Sequence, residues 1–475
     1  MSLSRRRLLQ LGSAGAVAAA LPDGPPIRAN AQVRSSSRRA MNLVFMVADG
    51  MSYGTLTLAD ACHRQRFERG STWVSLFNEK NVRRSSAFTY SADSLVTDSA
   101  AGATAWGIGE RVNNGCVCMT PDKRFPTPLW ARARQQGKAI GLVTTTTVTH
   151  ATPAGFIANV PDRGMERDIA VQIMERGVDV ALGGGRRYFP EETLKRRDDV
   201  SVVTDAAGLR NADEKKPLLG LFAEGHMPYS LDRSADEPDL EEMTRAALTR
   251  LQRSPHGFVL MVEGGRVDHA AHGNDAAALV HDLLAFDRAL NAVWEMTRDR
   301  SDTLVIVTTD HGNANPALTK STSRTIQGVQ LLNKAKHSFE WIFREASAPA
   351  TDDAGSPLPD QKSAEAISKR VAKLGDLVKD SLHIDLSKSQ REVLALALSG
   401  KQVDPFSERQ SVSSVLGSLL ANHNFVSFLS SNHTSDMVEV TSWGPGSNLI
   451  APMISNYDLH GIAVRALDLA PAKPI

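Results

Sequence analysis

The sequence predicts a doubly wound α/β fold: a mostly parallel sheet with helices on both faces, plus a helical insertion. Three observations point there. Short, continuous apolar runs recur along the chain. Amphipathic stretches with helical spacing lie between them. Most runs end on a polar residue, often followed by glycine. Apolar runs without polar alternation suit strands buried on both faces, the habit of parallel sheets. Strands alternating with helices indicate crossover units.

In chain order, the first segment is not part of that fold. "MSLSRRRLLQLGSAGAVAAAL" carries Arg5, Arg6 and Arg7 ahead of an apolar run, and "RANA" ends at Ala31. The pattern resembles a twin-arginine export signal with a small-x-small cleavage site. Residues 1–31 are therefore expected to be a cleaved signal, which places the mature chain in the periplasm or outside the cell. An uncleaved tether or a disordered tail is the competing reading. The apolar run Leu8 to Leu21 is shorter than the roughly 20 residues of a membrane span. No other run reads as a span, so no membrane partner is expected after cleavage.

The strand candidates follow: "NLVFMVADG" (42–50), "AIGLVTTTTVTH" (139–150), "VDVALGGG" (178–185), "GFVLMVEGG" (257–265) and "DTLVIVTTDHG" (302–312). Helical patterns between them include "MERDIAVQIMERG" and "NDAAALVHDLLAFDRALNAVWEMTRD". Region 321–425 loses the strand texture. It carries a Pro/Asp-rich linker, "ASAPATDDAGSPLPDQKS", then "AEAISKRVAKLGDLVKDSL" and "SKSQREVLALALSG". It reads as a mainly helical insertion or cap that divides an α/β core into 41–320 and 426–475.

Bulk composition narrows the function. The chain has 475 residues, with 54 Lys and Arg against 53 Asp and Glu. That balance argues against a nucleic-acid partner, which usually calls for a basic excess. Cys62, Cys116 and Cys118 are too few and oddly numbered for a disulfide framework. Cys116 and Cys118 without a second pair are a weak metal signal, and packing is the favoured role.

The polar residues that close the strands carry the chemistry. Asp49 follows the first run, Glu263 ends the fourth, Asp310 and His311 follow the fifth, and His150 and Thr152 follow the second. In an open parallel sheet the carboxyl ends of the strands share one edge, where ligands bind. Asp268 and His272 are four residues apart, so on a helix they share a face. Any one of these is ordinarily a cap, a turn or a loop hydrogen bond. Together they would crowd carboxylates that repel unless cations neutralise them. Divalent metal resolves this, with histidine favouring zinc and all-oxygen sets favouring magnesium.

"VTDSAAGAT" (96–104) then joins "VADGM", "THATPAGF", "ALGGG", "KPLLGLFAEGHMP", "VEGGRVDHAAH" and "VIVTTDHGN". In this order the blocks resemble the alkaline phosphatase family, over about 41–318 plus a tail block around His433. The resemblance implies hydrolysis of small phosphate monoesters with Ser99 as nucleophile and a phosphoserine intermediate. It implies two zinc ions, one on Asp268, His272 and His433, the other on Asp49, Asp310 and His311 beside Ser99. It implies a third ion, usually magnesium, on Asp49, Thr152 and Glu263. It makes Arg163 the phosphate clamp and suggests a homodimer. His150 stands where the best-known bacterial pattern has Asp, and His269 where it has Lys. Both resemble animal members. They are read as substrate-binding residues that reach phosphate through water, or as structural imidazoles. Either could turn the third site toward zinc. For His433, His423 and His337 are competitors. Ser52 departs from a more usual glycine without a functional account.

Two local readings of Ser99 compete with the nucleophile. Asp98 or Ser99 suits a helix N-cap before "AAGATAWGIG", and cap and nucleophile can coexist. A Ser-His-Asp triad would normally sit in a Gly-x-Ser-x-Gly elbow, but Thr97 and Ala101 hold the glycine positions. Magnitude favours metals. Phosphate monoester hydrolysis needs accelerations of up to about 10²¹, and a single general base supplies about 10²–10⁴. Other readings keep the metals and change the ester to a phosphodiester or sulfate, or keep the ligands without catalysis.

Overall fold

The computed structural model describes residues 39–190, 192, 194, 197–347, 362–403 and 411–473. The expected export signal and most of the Pro/Asp-rich linker lie outside the described residues. Among the described residues, no helix is long and apolar enough to cross a membrane.

The described residues form fourteen strands: β1 (Asn42–Val47), β2 (Arg83–Phe88), β3 (Ala139–Thr147), β4 (Val180–Gly184), β5 (Ser201–Val203), β6 (Leu218–Leu221), β7 (Phe258–Glu263), β8 (Thr303–Thr308), β9 (Gly312–Asn313), β10 (Ala317–Leu318), β11 (Val426–Ser427), β12 (His433–Thr434), β13 (Val438–Trp443) and β14 (Met453–Ser455). Ten form one sheet in the order β14-β2-β13-β8-β1-β7-β3-β4-β6-β5. From β8 to β5 every pairing is parallel. β13 is antiparallel to both β8 and β2. The expected doubly wound, mostly parallel sheet is the observed one.

The apolar runs explain this sheet residue by residue. Along β1, Val44 and Met46 enter one apolar cluster while Leu43, Phe45 and Val47 enter the other. β7 and β8 alternate the same way: Leu260, Val262, Val305 and Val307 on one face, Val259, Met261, Leu304 and Ile306 on the other. Side chains alternate across a strand, so a run with no polar member needs a helical layer on each side. Each such side chain contributes about 1.5–3 kcal/mol when fully buried.

Helices Ser99–Ile108, Ala151–Ile157 and Asp458–Ala466 cover one face, and Tyr53–Phe67, Leu240–Leu251 and Ala276–Thr297 the other. Ser99–Ile108 is buried along its whole length, and apart from Thr104, Trp106 and Ile108 its residues are serine, alanine and glycine. A Cβ on Gly107 would lie 1.9 Å from the Gly155 carbonyl oxygen, so the two helices meet only because this residue has no side chain.

Region 321–425 contains helices Arg324–Lys334, Phe339–Ala346, Ala364–Leu382, Lys388–Leu398 and Val412–Asn424. Leu332, Phe339, Ile342, Leu374 and Val378 share an apolar cluster with Ala276, Leu279 and Leu283. β10 pairs antiparallel with β11, so the chain leaves and re-enters at neighbouring points. β9 pairs antiparallel with β12, setting His433 opposite Asn313. That two-residue ribbon carries a distant tail segment to the end of β8.

Candidate active site

Register decides which side chains meet. Val47 of β1 lies opposite Glu263 of β7 and Thr308 of β8. Asp49, Glu263 and Asp310 therefore emerge side by side, and all three are fully buried. β3 adds His150 and Thr152 from the adjoining position. The helix Arg266–His272 presents Asp268 and His272 from the opposite layer.

Among the described residues, three groups of potential ligand atoms result: Asp268, His272 and His433; Asp49, Asp310 and His311; and Asp49, His150 and Glu263. In the first, His272 Nδ1 donates to the Ser431 carbonyl at 2.7 Å and His433 Nδ1 to the Thr97 carbonyl at 2.9 Å. Carbonyls only accept, so in the neutral rings both Nε2 atoms carry lone pairs. Those atoms face each other at 3.0 Å. Asp268 oxygens stand 3.4 and 3.6 Å from them. Lone pairs and a carboxylate converging at this range suit a shared cation. His423 bonds Gln390 and His337 stacks on Trp341, so neither competitor belongs to this group.

In the second group, His311 Nε2 lies 3.1 Å from Asp310 Oδ2, 3.7 Å from Asp49 Oδ1 and 3.2 Å from Ser99 Oγ. His311 Nδ1 faces the Gly312 carbonyl at 3.3 Å. A charge-relay triad places its carboxylate on the imidazole nitrogen away from serine. Here both carboxylates approach the serine side, the arrangement of a ligand set.

In the third, Thr152 Oγ1 donates to Asp49 Oδ2 at 3.2 Å, and His150 Nδ1 lies 3.7 Å from Glu263 Oε1. The hydroxyls of Thr144 and Thr146 hold the other Glu263 oxygen. His150, expected at the phosphate, thus also stands beside the third group.

The donor set fits divalent cations on a further count. Asp49 Oδ1, Asp310 Oδ2 and Glu263 Oε1 are buried without a hydrogen-bond partner. Leaving such a group unmet costs about 1–3 kcal/mol, more when it is charged. Burial, with the carboxylates of Asp310, Asp268 and Glu263, pushes the Asp49 carboxyl well above its usual range. The Asp310 carboxyl is held down to about 2 despite burial, chiefly by His311 beside it. Cations would relieve the first and match the second.

Asp98 is the cap of the Ser99 helix, accepting from the Ala101 N–H at 2.9 Å. Its other oxygen accepts from Arg163 Nη1 at 3.0 Å and the Gly115 N–H at 3.0 Å. Arg163 Nη2 meets His150 Nε2 at 3.0 Å. Two bonds from different segments fix the guanidinium beside Ser99. A Cβ at Gly102 would come within 3.1 Å of Asp310, so the serine helix needs its small residues to sit this close. Gly50 has φ +67°, and a Cβ there would lie 2.4 Å from Asp268 Oδ1.

Sequence reasoning missed several supporting residues. Asn313 Nδ2 donates to Asp268 Oδ1 at 2.7 Å, and the Ser52 hydroxyl accepts from the Asn313 N–H at 3.1 Å. This gives the unexplained Ser52 a structural role. Glu166 accepts from Thr147 and Thr149, 2.6 Å each, bracing the turn before His150. His226 packs against His150 and His269. Its block was recognised, but nothing in the spacing marked it. The three cysteines are free and belong to none of the ligand groups.

A profile of the alkaline phosphatase family matches residues 40–469. The chain belongs to the alkaline phosphatase family. It is a phosphoric monoester hydrolase of a family that is metal-dependent. The phosphatase is 33% identical to the repressible alkaline phosphatase of Saccharomyces cerevisiae over 66% of its own chain and 62% of that protein's length. It is 27% identical to alkaline phosphatase 4 of Bacillus subtilis over 90% of its chain and 88% of that one. The crystal structure of Thermus thermophilus alkaline phosphatase superposes with a TM-score of 0.81 at 32% identity, covering 92% of this chain and 93% of that one. The family match includes the helical region 321–425, which the motif resemblance alone left out.

Proposed function

We propose that this phosphatase hydrolyses phosphate monoesters through a phosphoserine at Ser99, in a site built for two zinc ions and one magnesium ion. The observation that carries the reading is the position of Ser99 Oγ, 3.2 Å from the His311 nitrogen on which Asp49 and Asp310 also converge. Asp268, His272 and His433 would hold one zinc, and Asp49, Asp310 and His311 the other. Bound there, the cations supply the positive charge that acidifies the serine hydroxyl and stabilises charge building on the leaving oxygen.

The chain's own residues do the rest. Arg163 forks onto two non-bridging phosphate oxygens. Asp98 and His150 orient it. The N-terminus of helix Ser99–Ile108 adds its positive dipole end. Ser99 Oγ attacks phosphorus in line as its proton passes to water, and water returns a proton to the leaving oxygen. A P–O bond to Oγ forms, the ester P–O bond breaks, and the alcohol leaves. Water then attacks phosphorus from the opposite side, releasing orthophosphate and restoring the serine. Arg163 donates to His150 Nε2, which leaves the neutral ring's proton on Nδ1 beside Glu263. This supports an all-oxygen third set of Asp49, Thr152 and Glu263, and hence magnesium over zinc.

The resemblance of residues 1–31 to a twin-arginine signal supports export to the periplasm or beyond. The β10–β11 ribbon at its neck supports treating 321–425 as a helical insertion between core segments 41–320 and 426–475. A homodimer rests on the family resemblance. Chelation tests the metal reading. Dialysis against a strong chelator is expected to abolish hydrolysis of an aryl phosphate, and zinc plus magnesium to restore it. Elemental analysis should find about two zinc per chain, on the ligand-group count. Undiminished activity in metal-free protein would overturn the reading.

A further inference from the structure

One buried side chain joins parts of the site that the reaction above leaves unconnected. Arg266 opens the helix that carries Asp268 and His272, and it is 4% exposed. Its guanidinium carbon lies 3.7 Å from the centroid of the Tyr229 ring. Nη1 contacts His269 Nδ1 at 2.8 Å, and Nη2 donates to Glu340. Glu340 lies on the helix Phe339–Ala346, within the helical region. Tyr229 and His226 come from the loop after β6, which is pinned over β3 by the Met227 N–H on the Thr145 carbonyl at 3.0 Å.

A guanidinium has donors and no acceptor. The His269 nitrogen that meets it must carry a lone pair, so the neutral ring bears its proton on Nε2. The Thr147 N–H donates to His226 Nδ1 at 3.2 Å and fixes the same tautomer there. The His269 ring stands edge-on to His226 at 4.5 Å and to His150 at 5.8 Å between centroids. His150 in turn meets Arg163. A continuous line of contacts runs from Glu340 through Arg266, His269 and His150 to the phosphate clamp.

We propose that Arg266 is a positioning residue that locks His269 as an Nε2–H donor for bound phosphate, with Glu340 of the helical region holding Arg266 in place. This rests on reading the cavity as a phosphate site. It gives the helical region a role in that site: its Glu340 anchors a residue that orients the phosphate-facing histidines. The planar fork matters, since it serves His269, Glu340 and the Tyr229 face at once. An ammonium can keep the bond to His269 and little else.

The test uses metal-replete protein with ¹⁵N-labelled histidine, a His269→Gln variant for assignment, and inorganic phosphate as the ligand. Wild type and Arg266→Lys are expected to show His269 protonated on Nε2 only. Arg266→Met should show mixed tautomers and bind phosphate about tenfold more weakly, the usual scale for losing an orienting partner. Glu340→Ala, at a half-exposed position, should shift both readouts the same way by a smaller factor. The proposal is overturned if Arg266→Met leaves tautomer and phosphate affinity unchanged, or if Arg266→Lys is impaired as badly as Arg266→Met. If Arg266→Met does not fold, Glu340→Ala decides: weaker phosphate binding at an unchanged melting temperature supports the proposal, and unchanged binding overturns it. Failure of wild type to bind phosphate would instead strike at the phosphate-site reading, and the tautomer measurement stands apart from it.

Discussion

Replacing Ser99 with alanine is expected to abolish turnover while leaving metal content and fold intact. Ser99 is the first residue of its helix, and the cap belongs to Asp98, so alanine keeps the capping bond. The site is buried and the next residues of the helix are Ala100, Ala101 and Gly102, so the smaller side chain fits. Asp49, Asp310 and His311 remain to hold an ion once the hydroxyl is gone. What goes is the attacking atom. Removing a nucleophile from a preorganised site costs on the order of 10⁴–10⁶ in kcat. Activity on an aryl phosphate, a melting curve and elemental analysis on the same preparation check the three parts separately. Turnover within tenfold of wild type would remove Ser99 from the mechanism.

The second large effect is expected from Asp49→Asn. Asp49 belongs to two of the three ligand groups. The amide keeps the size of the side chain and an oxygen for the Thr152 hydroxyl. It removes the charge that two cations would share. Metal content should fall at the second and third sites and persist at Asp268, His272 and His433. The loss in kcat should exceed the roughly 10²–10³ seen for one electrostatic donor, because two centres fail together. The metal-free protein should lose no stability. Burial and three neighbouring carboxylates make an ionised Asp49 unfavourable there, and the amide relieves that. A variant that keeps its full zinc and magnesium would contradict the shared-ligand assignment.

Much of this was legible in the chain because it follows from strand chemistry. Asp49, Glu263, Asp310 and His311 each close an apolar run, and parallel strands must bring such ends to one edge. Asp268 and His272 needed only helical spacing. His433 was harder, since a two-residue ribbon, β9 with β12, carries it across from the tail. No periodicity marks so short a pairing. The sequence offers Asp98 or Ser99 as the cap and the cap is Asp98, but its bond to Arg163 spans 65 residues. Arg266, Asn313 and Glu340 were invisible for the same reason. Each acts through a side-chain contact set by how layers pack. Short strands such as β5 and β6 likewise gain their place from neighbours already in the sheet.

The account stands on Ser99 forming a covalent bond to phosphorus. Mixing the enzyme with a ³²P-labelled phosphate monoester and quenching in acid during turnover measures this directly. The account predicts label on the peptide holding residues 96–104, at Ser99, and none there in Ser99→Ala. Steady turnover with no label on any serine would contradict it.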